Sequence, residues 1–140
     1  MVGKAAIGLL LVLAQVGFAS ESIEGVWIAA DDDGLIEIRI NDGLLSGVIA
    51  GSLSDPERKN PARHDDLNPD PDLRERPLLG LAIFSGLQAS GSNKWKGEVY
   101  DPNSGKTYKC TVTLVDTDTV KIRGYIGFSL LGRTEEWTRR

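Results

Sequence analysis

The stretch LIEIRINDGLLSGVIAGS, residues 35–52, decides the fold. From Leu35 to Asn41 the side chains alternate strictly. Leu35, Glu37, Arg39 and Asn41 fall on one face and Ile36, Ile38 and Ile40 on the other, a period of two that only a strand satisfies. Asn41-Asp42-Gly43 follows, and Asn and Gly accept the positive φ angles of a two-residue hairpin turn. Residues 44–52 are then the partner strand.

The same rhythm continues on both sides. Residues 23–30 read as a strand before the hairpin. Residues 81–87, 94–100, 106–115, 119–125 and 133–139 read as strands after it, which makes eight. Turn-forming stretches separate them: Ser90-Gly91-Ser92-Asn93, Asp101-Pro102-Asn103-Ser104-Gly105, Asp116-Thr117-Asp118 and residues 127–132. Short strands at near-regular spacing, with no amphipathic helix, predict an all-β fold: an antiparallel up-and-down β-barrel of about eight strands. Residues 53–78 interrupt the pattern. They are polar and hold five of the six prolines, and proline cannot donate to a ladder. A loop of this length inside a compact domain is a lid or binding segment, or else a surface excursion.

The N-terminus reads as a secretory signal. Lys4 supplies the positive start, residues 5–16 (AAIGLLLVLAQV) the apolar stretch, and Gly17-Phe18-Ala19 the small residues of a cleavage site. The apolar stretch is too short to span a bilayer, and no later run approaches the ~20 residues required, so no stable membrane span is expected after cleavage. The expected organisation is a signal segment at 1–19, with a helical apolar stretch, followed by one domain at 20–140. The expected location is the periplasm or the outside of a bacterial cell. From residue 20 onward the chain has 15 basic and 20 acidic side chains, a balance of −5, with no basic run. That excludes a nucleic-acid partner on electrostatic grounds.

Little in the sequence demands chemistry. There is no P-loop, dinucleotide fingerprint, zinc spacing or nucleophile elbow, so no cofactor, no metal and no catalytic residue is assigned. The single histidine, His64, has no second histidine or cysteine pair to complete a metal site. Asp31-Asp32-Asp33-Gly34 lacks the alternate spacing of a calcium loop and reads as a turn. The lone Cys110 shares its strand face with Tyr108, Val112 and Leu114 and reads as a small buried apolar residue. If first and last strands meet, Trp27 comes within reach of Arg133 or Arg139 for a cation–π contact that closes a barrel end.

The order of motifs also resembles a known family. Ile23-Glu24-Gly25-Val26-Trp27, Asn68-Pro69-Asp70-Pro71-Asp72-Leu73-Arg74-Glu75-Arg76-Pro77-Leu78-Leu79-Gly80, Tyr100-Asp101-Pro102-Asn103-Ser104-Gly105-Lys106-Thr107-Tyr108, Val120-Lys121-Ile122-Arg123-Gly124-Tyr125-Ile126-Gly127-Phe128 and Gly132-Arg133-Thr134-Glu135-Glu136-Trp137 occur in sequence. Together they resemble the bacterial exported family of unknown function 2147, over nearly the whole domain. The resemblance implies a lipocalin-like (calycin) barrel and no assigned activity. It also implies a cysteine pair in relatives, at positions that here are Ser46 and Tyr125.

Two functions follow as expectations. The first is a barrel that binds a small apolar or amphipathic ligand, with Trp27, Ile36, Ile38, Tyr108, Val112, Arg133 and Trp137 facing inward by alternation. An arginine in an apolar mouth suits a carboxylate head group. The second is a cell-envelope interaction or structural protein acting through the Pro-rich loop or a sheet edge, its partner unidentified. An enzyme built on Tyr100, Asp101 and Arg76 near a barrel mouth is a third, weaker reading.

Overall fold

The computed structural model describes residues 22–60, 62–127 and 132–140, with Gly3 alone before them. Apart from Gly3, the expected signal segment lies outside the described residues. Eight strands follow in order: β1 (Gly25–Ile28), β2 (Gly34–Asn41), β3 (Leu44–Ser52), β4 (Ala82–Gly91), β5 (Lys94–Asp101), β6 (Lys106–Asp116), β7 (Thr119–Tyr125) and β8 (Gly132–Arg139). Each pairs antiparallel with its neighbour in sequence, and β1 pairs with β8 through Trp27–Arg139 and Ile28–Thr138, closing the barrel. Among the described residues no helix is long and apolar enough to cross a membrane.

The strands form where alternation put them, with three instructive departures. β1 begins at Gly25 instead of residue 23. Ile23 lies outside the ladder but is buried, and its carbonyl accepts the Trp27 indole N–H at 2.9 Å. β4 continues past residue 87 to Gly91, although Gln88, Ala89 and Ser90 are exposed. The apolar pattern ends at Leu87 while the backbone ladder runs on, so periodicity could not mark the true end. In β2, a register shift between Leu35 and Ile36 puts both side chains out of water, so Leu35 leaves the polar face that alternation assigned it.

The barrel has unlike ends. The hairpin turns at Asp42-Gly43, Ser92-Asn93 and Thr117-Asp118 gather at one end, with residues 22–24 and Arg139. The interior there is packed by Trp27, Ile38, Leu45, Phe84, Cys110 and Val112. Gly47 makes room for this packing. A Cβ at that position would sit 2.4 Å from the Phe84 ring, so only glycine lets the ring lie against the wall. Cys110 is fully buried, and burial pushes its thiol up to about 11, so it stays protonated and unreactive.

The cysteine positions implied by the family resemblance do not pair in this barrel. Ser46 is on β3 and Tyr125 on β7, four strands apart in a closed ring of eight. Ser46 Oγ rests on the Arg39 carbonyl of β2, while Tyr125 lines the opposite end. A disulfide needs Cα atoms within ~7 Å, and diametric strands do not supply that.

Candidate functional site: an open cavity under a stapled loop

At the other end the barrel is not filled. A cavity of about 900 Å³ opens there, floored by Ile36, Ile83, Ile122 and Trp137 and walled higher up by Ile49 and Val99. Its rim comes from the β1–β2 turn, the 53–79 segment, the Tyr100–Asn103 corner and both ends of the β7–β8 connection. Of the seven side chains expected inside, Ile36, Tyr108, Arg133 and Trp137 line this cavity. Trp27, Ile38 and Val112 do not. All three are fully buried in the packed floor.

Arg133 departs from the inward position expected of it. It is at the rim, not inside an apolar mouth: its side chain is 86% exposed, and its nearest charged partner is Glu135 at 3.8 Å. Arg133 is paired with Gly124 at the mouth end of the β7–β8 ladder, where a long cation extends into water. The cation over Trp27 is Arg139, 4.3 Å from the ring centroid. Its guanidinium donates to the carbonyls of Thr117 (2.6 Å), Glu24 (3.0 Å) and Ser22 (2.8 Å), which lids the floor from outside.

Trp137 stacks on Phe84 with centroids 6.4 Å apart. Its indole N–H is buried with no hydrogen-bond partner, the one such side-chain atom among the described residues. It marks the level at which tight packing gives way to open space.

The Pro-rich segment is fixed to the barrel by a buried acid. Asp65 is fully buried. Its carboxylate accepts from the Tyr100 hydroxyl on β5, from Asn68 Nδ2 at 2.8 Å, and from Arg76 Nε and Nη2, both at 2.9 Å. Backbone bonds Asp65 N–H to Arg76 carbonyl (3.0 Å) and Leu78 N–H to Arg63 carbonyl (2.8 Å) fold the segment into a double strap, with His64 bridged to Pro77. A one-turn 3₁₀ helix at Pro71–Leu73 forms its bend, capped by Asp70. Arg76 also stands 5.8 Å over the Tyr100 ring.

Burial raises the Asp65 carboxyl, but the bonds from Tyr100, Asn68 and Arg76, with the Arg76 charge, outweigh it and hold the group below the usual carboxylate range. Burial and the same carboxylate push the Tyr100 phenol up. The network is therefore an anion fully supplied with donors, which staples the segment to β5. Sequence reasoning brought Tyr100 and Arg76 to the mouth but missed Asp65 and Asn68, and it grouped Asp101 with them. Asp101 instead serves its own turn, accepting from Asn103 N–H (2.9 Å) and Ser104 Oγ (2.8 Å). Among the described residues no three His, Cys, Asp or Glu side chains converge as metal ligands.

An eight-stranded closed antiparallel barrel with one packed end and one open, apolar-floored cavity is a lipocalin-like barrel. The chain belongs to the bacterial family described as "Uncharacterized protein conserved in bacteria (DUF2147)", whose profile matches residues 25–139. Among solved structures it is similar to protein HP1028 from Helicobacter pylori, described as belonging to the lipocalin family. The two are 22% identical with a TM-score of 0.71, over 85% of this chain and 83% of that one. That likeness is one of fold. No curated protein matches the sequence.

Proposed function

We propose that this protein is an exported bacterial barrel that binds one small apolar or amphipathic molecule in the mouth cavity. The cavity itself carries the reading. An eight-stranded barrel can be filled by its own side chains or left able to hold one small ligand. Here about 900 Å³ stays open above an isoleucine floor, within the ~300–1,000 Å³ of small-molecule sites. Empty apolar volume forgoes packing energy that the other end of the same barrel collects. The alternative is an envelope protein working through the Pro-rich loop or a sheet edge; closure of the barrel weighs against the edge, and the bonds that tie Asp65 to Tyr100 and Arg76 weigh against a loop free to capture a partner. Export rests on residues 1–19 and is tested by expression in a bacterial host: the N-terminus of the periplasmic product should start near residue 20.

Binding is tested with N-phenyl-1-naphthylamine, whose fluorescence rises in apolar surroundings. Saturable enhancement at one probe per chain is expected, and Val99→Trp, which fills the cavity from a half-buried wall position, should remove it while the fold persists. Equal enhancement in wild type and Val99→Trp overturns the proposal.

A further inference from the structure

We infer that the ligand of this cavity bears a positively charged head group on its apolar body. The inference rests on the reading of the cavity as a binding site and names the ligand class.

The rim carries the argument. Asp31, Asp33, Asp55, Asp101 and Glu135 line the cavity, against Arg58, Arg63 and Arg133, an excess of two negative charges. That excess survives pairing. Arg133 and Glu135 face each other at 3.8 Å and cancel, which leaves four aspartates against Arg63 and Arg58, whose Nη2 donates to the Ala50 carbonyl at 3.3 Å. The four aspartates have no ion-pair partner among the described residues.

Each aspartate is held by uncharged donors. Asp31 Oδ1 accepts from the N–H groups of Asp33 and Gly34. Asp33 accepts from Ser52 Oγ (2.7 Å) and the Ser54 N–H (2.8 Å). Asp55 accepts from the N–H groups of Lys59 and Asn60, and Asp101 from its own turn. Neutral donors fix a carboxylate in place without cancelling its charge. They also keep Asp33 and Asp55 ionised, first through Ser52 and through the Asn60 N–H respectively. Rigid like charges around a low-dielectric cleft focus their potential into it.

Below the rim the lining is aromatic and aliphatic. Tyr108, Tyr125 and Trp137 line the cavity together with the isoleucines. The faces of such rings attract cations. An apolar chain lying on Ile36 and Ile83 therefore leaves its head among π faces and carboxylates. A carboxylate head, which an inward Arg133 would have favoured, meets like charges there.

Three probes of equal chain length separate the possibilities at pH 7 and low salt: decyltrimethylammonium and decanoate below their micelle concentrations and decanol below its solubility limit, each followed by calorimetry. We expect the cation to bind about tenfold tighter than decanol and decanoate to bind weakest, with the spread narrowing in 0.5 M salt. Asp31→Asn with Asp55→Asn keeps oxygen acceptors for the local N–H groups but removes the charge excess, and should cut the cation-to-anion preference at least about fivefold. Val99→Trp should abolish cation binding. Decanoate binding as tightly as the cation, an unchanged preference in the double variant, or undiminished cation binding in Val99→Trp overturns the inference. If none of the three binds, the binding reading itself fails. If decanol binds and charge makes no difference, only the head-group assignment fails.

Discussion

At the floor of the barrel Trp27 is fully buried, its N–H bonded to the Ile23 carbonyl and its ring covered by Arg139. At the mouth, one turn of side chains higher, Trp137 is buried too, but its N–H has no partner and its ring borders about 900 Å³ of open space. The same eight strands build both ends. What differs is how the ends are closed. The floor is closed by tight hairpins and by one arginine that donates to three carbonyls. The mouth is bordered by a strap held on a single buried carboxylate. Side-chain packing is concentrated at the first end, and the second keeps open volume.

The sharpest way to break that comparison is to empty the floor. Trp27→Ala removes a fully packed indole, its hydrogen bond and the cation above it, and should cost about 4–5 kcal/mol in chemical denaturation. A loss under ~1 kcal/mol would mean that the floor is as slack as the mouth. Next is the staple. Asp65→Ala leaves Arg76 and the Tyr100 hydroxyl without their anion and should cost about 3 kcal/mol, the low end for a broken buried pair because Arg76 is partly exposed. Hydrogen exchange should quicken in residues 62–78 and stay slow in the floor strands. If the floor quickens equally, strap and barrel are one cooperative unit and the contrast fails.

The barrel was readable because alternation reports burial on one face, and strands β2, β3 and β5 to β8 were bounded within a residue by alternation and the turn residues between them. It was misread where the backbone and the side chains part company. The tail of β4 keeps its ladder with exposed Gln88 and Ser90, and the bulge at Leu35 changes face without a change of pattern. The site was half readable. Alternation brought Ile36, Tyr108 and Trp137 inside, but it has no coordinate along the barrel axis, so it could not separate them from Trp27, Ile38 and Val112 in the floor. Asp65 gave no signal. A buried carboxylate in a polar loop looks like any solvated aspartate until Tyr100, 35 residues later in the chain, is known to meet it.

The two tryptophans offer a finer test with one substitution made twice. Trp27→Phe forfeits the bond to Ile23 and weakens the Arg139 stack, for about 2 kcal/mol. Trp137→Phe removes a donor that has no partner, keeps an aromatic ring against Phe84 and enlarges a space that is already open. Its cost should stay below ~1 kcal/mol. Thermal melts of the pair decide it: equal shifts would erase the distinction drawn between the two levels of the barrel.

The smallest effect is the one pH exerts on the staple. The Asp65 carboxyl is depressed in the folded chain, so its contribution is complete above the unfolded value of about 3.9 and is lost only as pH falls through the lower folded value. The Tyr100 phenol is raised, so its contribution is complete below about 10 and is lost as pH climbs through the higher folded value. Between those limits the strap should not respond to pH at all. The melting-temperature gap between wild type and Asp65→Asn should therefore be flat from about pH 5 to pH 9 and close only below about pH 4, where wild type becomes protonated and the variant does not change. A gap that closes between pH 7 and 5 would mean that the carboxyl titrates as a poorly supplied buried acid. Asp65 would then be a proton-responsive latch over the cavity, and the strap would be a moving part of the mouth instead of its fixed wall.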